Sequence, residues 1–235
     1  IRADATRDSG AGHVMRCLAL AQAWEEHGGK ATFVSYCGSL VRQRIEDEGI
    51  AFIPTEDPAS EPADLGRTLK ILSQSGSPAP WCVLDGYHFD STYQRSVRHA
   101  GYRVLVIDDV NQHSCYHADL LLNQNAHAKN INYTCKRETL ELLGPRYALM
   151  RREFWRYRGW CRATPKMARK VLVSFGGSDS KNLTSRVIRA LGQIRVPGTE
   201  IAVVLGPTNR WRGDVENELQ LLSFPWQLLS SANSM

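Results

Sequence analysis

Short apolar runs of strand length alternate along this chain with segments of helical spacing. An apolar start over 1–5 leads into Ser9-Gly10-Ala11-Gly12, and a helical pattern over 13–27 then closes on Gly28-Gly29. A β-rich run covers 31–36. A helix over 39–48 takes Ser39 as its cap and Gly49 as its stop, and a short strand covers 51–54. A loop over 58–62 precedes a helix over 64–74 marked by Leu65, Leu69 and Leu72, and a breaker cluster fills 75–80. The apolar run 81–84 ends in Asp85-Gly86-Tyr87-His88. Asp90 caps a helix to about 100, the run 102–107 ends in Asp108-Asp109, and the run 120–122 ends in Asn123-Gln124-Asn125. Farther on, a strand over 170–175, the turn Gly176-Gly177-Ser178-Asp179, a helix over 181–191, a strand over 200–205 and a helix over 209–222 repeat the scheme.

Strands alternating with helices predict parallel sheets covered on both faces, hence an α/β fold. In such sheets ligands bind beyond the carboxyl ends of the strands, and each polar cluster above falls at such an end. The strand–glycine turn–helix design occurs twice, once in each half. Each occurrence is a candidate anion site, because first-turn N–H groups and the helix dipole point at a ligand there. Two such α/β domains suggest a cleft for a phosphorylated ligand. Neither turn has the spacing of a Walker loop or of the full dinucleotide fingerprint.

Composition narrows the classes. With 235 residues, 43% hydrophobic and 23% charged, the chain reads as one large or two smaller soluble domains. A net charge of +5 suits a polyanionic small ligand and is no nucleic-acid signature by itself. The basic, aromatic stretch 136–170 reads as an interdomain connector rather than a nucleic-acid surface. The six cysteines form no C-x-x-C pair and no zinc spacing, so they are expected to be reduced thiols of a cytoplasmic protein, with no metal. No run reaches the length of a membrane span, no signal peptide is visible, and neither a membrane nor a cofactor is expected. The expected domains are 1–150, a connector over 151–169, and 170–235 as the start of a second, truncated domain.

His13, at the start of the first helix, is a candidate proton acceptor near neutral pH; its alternative is a capping or packing role. Tyr87 would touch a sugar or orient His13, or else be a turn tyrosine. Asp108-Asp109 would bind sugar hydroxyls or order a backbone turn. Asn123 and Asn125 would recognise hydroxyl or acetamido groups, or cap. The other histidines read as loop or solvent residues.

The string Arg2-x-Asp4 … Gly10-x-Gly12-His13-x-x-Arg16-Cys17-Leu18-x-Leu20-Ala21 resembles the start of the UDP-2,4-diacetamido-2,4,6-trideoxy-β-L-altropyranose hydrolases of pseudaminic acid biosynthesis. Further matches follow in order: Asp85-Gly86-Tyr87, Ile107-Asp108-Asp109, Asp119 to Asn125, Gly144-x-x-Tyr147-Ala148-Leu149-x-Arg151-x-Glu153-Phe154, and Gly176-Gly177-Ser178-Asp179-x-x-Asn182, with Ser178 where the family often has Thr. The resemblance implies two Rossmann-like domains of GT-B type and a UDP-sugar substrate. It implies His13 as the general base that activates water to attack the anomeric carbon, with inversion and without metal. It implies substrate contacts from Gly10, Gly12, Arg16, Tyr87, Asp108, Asn123, Asn125 and Arg151, and nucleotide contacts from Gly176, Gly177, Ser178, Asp179 and Asn182. The same constellation would serve a GT-B glycosyltransferase or a non-catalytic nucleotide-sugar binding module.

Overall fold

The computed structural model describes every residue except 7–8, 59–62, 178, 195, 207–208 and 231–235. The chain divides into two compact units, Ile1–Arg158 and Gly159–Met235. In the first, the elements run β1 (Arg2–Ala3), α1 (Gly12–Glu26), β2 (Thr32–Ser35), α2 (Ser39–Glu46), β3 (Ala51–Pro54), α3 (Ala63–Ser73), β4 (Trp81–Asp85), α4 (Ser91–His99), β5 (Arg103–Ile107), β6 (Leu120–Asn123) and β7 (Leu140–Leu143). Each adjacent strand pair is parallel, in the order β3-β2-β1-β4-β5-β6-β7. This is the doubly wound order, and its direction reverses between β1 and β4.

Strand periodicity fixes which face each side chain takes. In β4 and β5, Val83, Leu105 and Ile107 pack with Val14, Cys17 and Leu18 of α1. Cys82, Leu84, Val104 and Val106 pack on the other face with Phe89, Tyr93 and Val97. Both faces are covered, which is why these strands read as continuous apolar runs. Asp85 follows Val83 by two and so falls on the α1 face.

The second unit contains β8 (Lys170–Ser174), α5 (Leu183–Leu191), β9 (Glu200–Val204), α6 (Arg212–Gln220) and β10 (Trp226–Leu229). Its three strands are parallel in the order β10-β9-β8, and Val173, Ile201 and Val203 pack with Ile188, Val215 and Leu219.

Two strands are absent from the sequence reading. The edge strand β7 is half charged at its start and little buried, so its pattern is that of a loop. The short strand β10 is mostly exposed. Within the stretch read as a connector, Arg152–Tyr157 forms a 3₁₀ turn that belongs to the first unit. It is tied to α1 by the Arg152 N–H donating to Gln22 Oε1 at 2.8 Å.

Candidate functional site

The site grows from the loop between β1 and α1. Gly10 has φ +67°, a left-handed conformation that glycine adopts without strain, and its N–H donates to the Thr6 carbonyl at 2.9 Å. The Thr6 and Ser9 hydroxyls lie 3.0 Å apart and brace this turn. At the head of α1, Ala11 supplies no side-chain cap and the first turn holds no acidic residue. Space around a Cβ at Gly12 is open. Among the described residues no side-chain cap closes the positive end of α1, an arrangement suited to an anion.

His13, Arg16 and Cys17 share one face of α1 by their spacing of three and four, and that face meets the end of β4. Asp85 is fully buried there and accepts four bonds. His13 Nδ1 lies 2.7 Å from Oδ1, Arg16 Nε and Nη2 each donate at 2.6 Å, and the Cys17 thiol donates at 3.3 Å. Burial pushes the Asp85 carboxyl upward, but the Arg16 and His13 hydrogen bonds outweigh it and hold the group below its usual range. Asp85 is thus an anion with only acceptors, and the 2.7 Å contact assigns the ring proton to Nδ1. Arg16 Nη2, 3.1 Å from the same nitrogen, is then a neighbouring charge and not its donor. His13 is 8% exposed, and among the described residues the hydrogen-bond contacts of its ring run through Nδ1. Tyr87 stands edge-on to the imidazole at 5.1 Å, and its ring is half exposed.

Arg16 extends the network to the end of β5, where Nη1 donates to Asp109 Oδ2 at 2.6 Å. Asn125 Nδ2 donates to Asp109 Oδ1 at 2.9 Å. Asn123 Oδ1 accepts from the Asn125 N–H at 3.0 Å, and Asn123 Nδ2 donates to the Tyr133 hydroxyl at 2.8 Å. Asp108 lies behind this layer. Its carboxylate accepts from the Tyr133 and Tyr116 hydroxyls and from the N–H groups of Val110 and Asn111, an arrangement that orders the turn after β5.

The sequence-predicted residues His13, Arg16, Tyr87, Asn123, Asn125 and the Gly10–Gly12 loop therefore meet at the carboxyl ends of β1, β4, β5 and β6. Arg151 is not drawn into the network: its guanidinium lies over the Phe154 ring and 3.3 Å from Glu153. Of the two turns expected to await an anion, the second has its helix end filled from within. Asp179, buried and at φ +40°, accepts from the Leu183 and Thr184 N–H groups at 2.8 and 2.9 Å. Asn182, at φ +50°, caps α5 through Ser185. Gly176 is left-handed, and Gly177 lies directly against Gly206. Ser178 lies outside the described residues. Asp85 is the polar group to which the sequence reading assigns no role, and Asp109, read with Asp108 as a sugar-binding or turn-ordering pair, holds Arg16 instead. The available signal is a carboxylate at the end of the apolar strand β4, which lies next to the point where strand order reverses.

No family model matches the chain. It is similar to uncharacterized protein MJ1062 of Methanocaldococcus jannaschii, 26% identical over 226 residues, which cover 94% of this chain and 45% of that protein. Its structure is similar to the crystal structure of MurG from Acinetobacter baumannii, with a TM-score of 0.55 and 16% identity over 95% of this chain and 66% of that one. The chain thus spans less than half the length of its curated relative and 66% of the MurG chain. The fold is α/β, with Rossmann-like units of the GT-B type.

Proposed function

We propose that this chain hydrolyses a nucleotide sugar, UDP-2,4-diacetamido-2,4,6-trideoxy-β-L-altropyranose, with His13 as the general base. The observation that carries the reading is the buried Asp85–His13 pair, whose Nδ1 proton is committed to the carboxylate. A neutral imidazole held in that tautomer accepts a proton on Nε2. The GT-B fold and the ordered motif matches support a UDP-sugar as the substrate.

In the proposed step a water oxygen attacks the anomeric carbon and gives its proton to Nε2. The C–O bond to the diphosphate breaks and UDP leaves with the electron pair, so configuration at the anomeric carbon inverts. A diphosphate leaving group is already a stable anion, so no acid on the opposite side is required, unlike the carboxylate pair of ordinary glycosidases. Asp85 stays ionised and stabilises the imidazolium that forms, which then returns its proton to solvent. The uncapped start of α1 and the Gly10–Gly12 backbone are assigned to the anionic part of the substrate. Tyr87 and Asn125 are assigned to the sugar; Asn123, expected to do the same, is fully buried with both ends of its amide engaged, and it and Asp108 are assigned to holding the turns on which the others depend. In the second unit Asp179 occupies the end of α5 from within, so no part of the substrate is assigned to that helix end.

The likeness to MurG favours one second reading, a glycosyltransferase in which a hydroxyl acceptor takes the place of water. One experiment separates them. The UDP-sugar is incubated with the full-length gene product in ¹⁸O-water and EDTA, and the products are read by mass spectrometry and anomeric proton NMR. Hydrolysis by this route puts ¹⁸O in the free sugar, leaves UDP unlabelled and inverts the first-formed anomer. His13→Ala then loses about 10²–10⁴-fold in turnover with its circular dichroism unchanged. Turnover that appears only with an added acceptor selects the transferase, and near-normal turnover by His13→Ala removes the base assignment.

A further inference from the structure

The hydrogen bonds of Arg16 hold more than geometry. Its guanidinium forks onto both oxygens of Asp85, reaches Asp109 with its third nitrogen, and lies 3.1 Å from His13 Nδ1. One cation here faces two carboxylates, so with His13 neutral the cluster carries one net negative charge. A proton taken by His13 brings it to neutrality. Two neighbours of the imidazole, Cys17 and Tyr87, do not change this balance near neutral pH. Burial pushes the Cys17 thiol well up, and burial and then the Asp109 charge push the Tyr87 hydroxyl up, so both stay uncharged. Asp108 is held by four donors in its own turn. His88 faces Asp4 at 3.4 Å, a second histidine–carboxylate pair at the end of β1.

We propose that Arg16 and Asp109 are opposed positioning residues that set how readily His13 takes a proton, Arg16 working against uptake and Asp109 for it. This rests on the reading of His13 as the base. Arg16 draws Asp85 toward itself and places a positive charge beside Nδ1, which disfavours an imidazolium. Asp109 pulls Arg16 in the opposite direction and supplies the extra negative charge that an imidazolium neutralises. Without Asp109 the Arg16–Asp85 pair would be closed and the imidazole would gain little from its carboxylate. Without Arg16 two carboxylates would face the imidazole with no cation between them. The same surplus negative charge favours the positive character that develops on the sugar ring as the diphosphate departs.

The test is a proton titration of the His13 ring followed by NMR in the full-length gene product, with the His13 signal identified by its loss in His13→Gln. Asp109→Asn keeps an oxygen for Arg16 and removes the charge, and its titration midpoint is expected to fall by roughly half a pH unit or more. Arg16→Gln is expected to move the midpoint up by a similar amount, and Arg16→Lys to return it close to the wild-type position. A simple loss of packing would not move two neighbouring variants in opposite directions. Unmoved midpoints, or midpoints moving the same way in Asp109→Asn and Arg16→Gln, overturn the proposal. If Arg16→Gln does not fold, the direction of the Asp109→Asn shift decides. The readout needs no turnover, so absent UDP release with opposed shifts would remove the hydrolase reading and leave the charge assignment standing. Where turnover is present, the acid limb of the kcat/KM profile is expected to follow the same two directions.

Discussion

Replacing Asp85 with Asn tests the centre of the site with the smallest change of shape. The amide keeps one acceptor oxygen and turns the other position into a donor. Oδ1 accepts from both His13 Nδ1 and Arg16 Nη2, and Oδ2 from Arg16 Nε and the Cys17 thiol. An NH₂ at either position therefore opposes one Arg16 nitrogen, each of which now bonds the carboxylate at 2.6 Å; at the Oδ1 position it also donates to Nδ1 and forces the ring proton onto Nε2. In that tautomer Nε2 cannot accept a proton, and turnover should fall by about 10²–10⁴-fold, the usual worth of a general base. The variant also leaves the Arg16 guanidinium short of one of its two anions. Breaking a buried pair costs about 3–5 kcal/mol, and the Asp109 contact that remains at 2.6 Å places the loss near the lower bound, about 3 kcal/mol. For a unit of this size that lowers the melting temperature by roughly 6–12 °C, which leaves it folded at 25 °C.

The two effects separate by assay: UDP release for the first, and thermal unfolding followed by circular dichroism for the second. Their pH dependence adds a sign. The Asp85 carboxyl sits below its usual range in the folded protein, so its contribution is complete above the unfolded-chain value of about 3.9 and disappears as pH falls through the lower native value. The melting-temperature gap between wild type and Asp85→Asn should accordingly hold from neutral pH to about pH 4 and close in stronger acid. Turnover by Asp85→Asn within about tenfold of wild type would refute the tautomer argument. A gap that widens in acid would refute the charge argument.

Three further outcomes follow from other parts of the structure. Tyr87→Phe retains the edge contact to His13 and should leave the melting temperature unchanged; a drop in turnover then assigns a role to the hydroxyl, and unchanged turnover returns Tyr87 to the surface of its turn. Asp108→Ala strips the acceptor from two tyrosine hydroxyls and two backbone N–H groups and should cost at least about 3 kcal/mol in urea unfolding, whereas a loss under about 1 kcal/mol would show that the turn does not depend on it. In the second unit a Cβ at Gly206 would lie 2.3 Å from Gly177 Cα and 2.4 Å from its carbonyl oxygen, a backbone clash that no rotamer relieves. Gly206→Ala should speed hydrogen exchange in β8 and β9 and leave β4 and β5 protected; equal protection throughout would contradict the tight approach.

The sequence carries local information well and distant pairing poorly, and particular elements show where the division falls. β4, β5 and β6 are legible because both faces are buried and the whole strand is apolar. The α4 start is legible because Asp90 accepts from the Tyr93 N–H within one turn. The start of α5 at Leu183 rather than 181 is not, since it depends on the Asp179 carboxylate folding back onto Leu183 and Thr184. Arg2 is read as part of an apolar run yet is fully buried, because its partner Asp64 lies 62 positions away. The candidate base was legible from its glycine turn. Its carboxylate 72 positions on, and the Arg16 links spanning 69 and 93 positions, become visible only when the sheet brings their strand ends together.

The first unit buries two ion-pair networks, and the difference between them argues for which one does chemistry. Arg2 in β1 bonds Asp64 of α3 and the Val34 carbonyl, and Asp64 accepts in turn from the Tyr93 hydroxyl, which also bonds Thr68. Arg2, Asp64, Tyr93 and Thr68 are all buried, and this network joins β1, β2, α3 and α4, with Arg67 reaching Asp64 from the surface at 3.6 Å. The Asp85–Arg16 network lies at the carboxyl ends of the strands and does not close. It runs from buried Asp85 through Arg16 to partly exposed Asp109, and it presents His13 Nε2 beside a half-exposed tyrosine. A buried ion pair is weak evidence for stability, because well-packed apolar residues of similar volume often serve as well or better. A network that bears that cost and does not close gains little for the fold. Its arrangement is the one that the proposed role of His13 as the base requires.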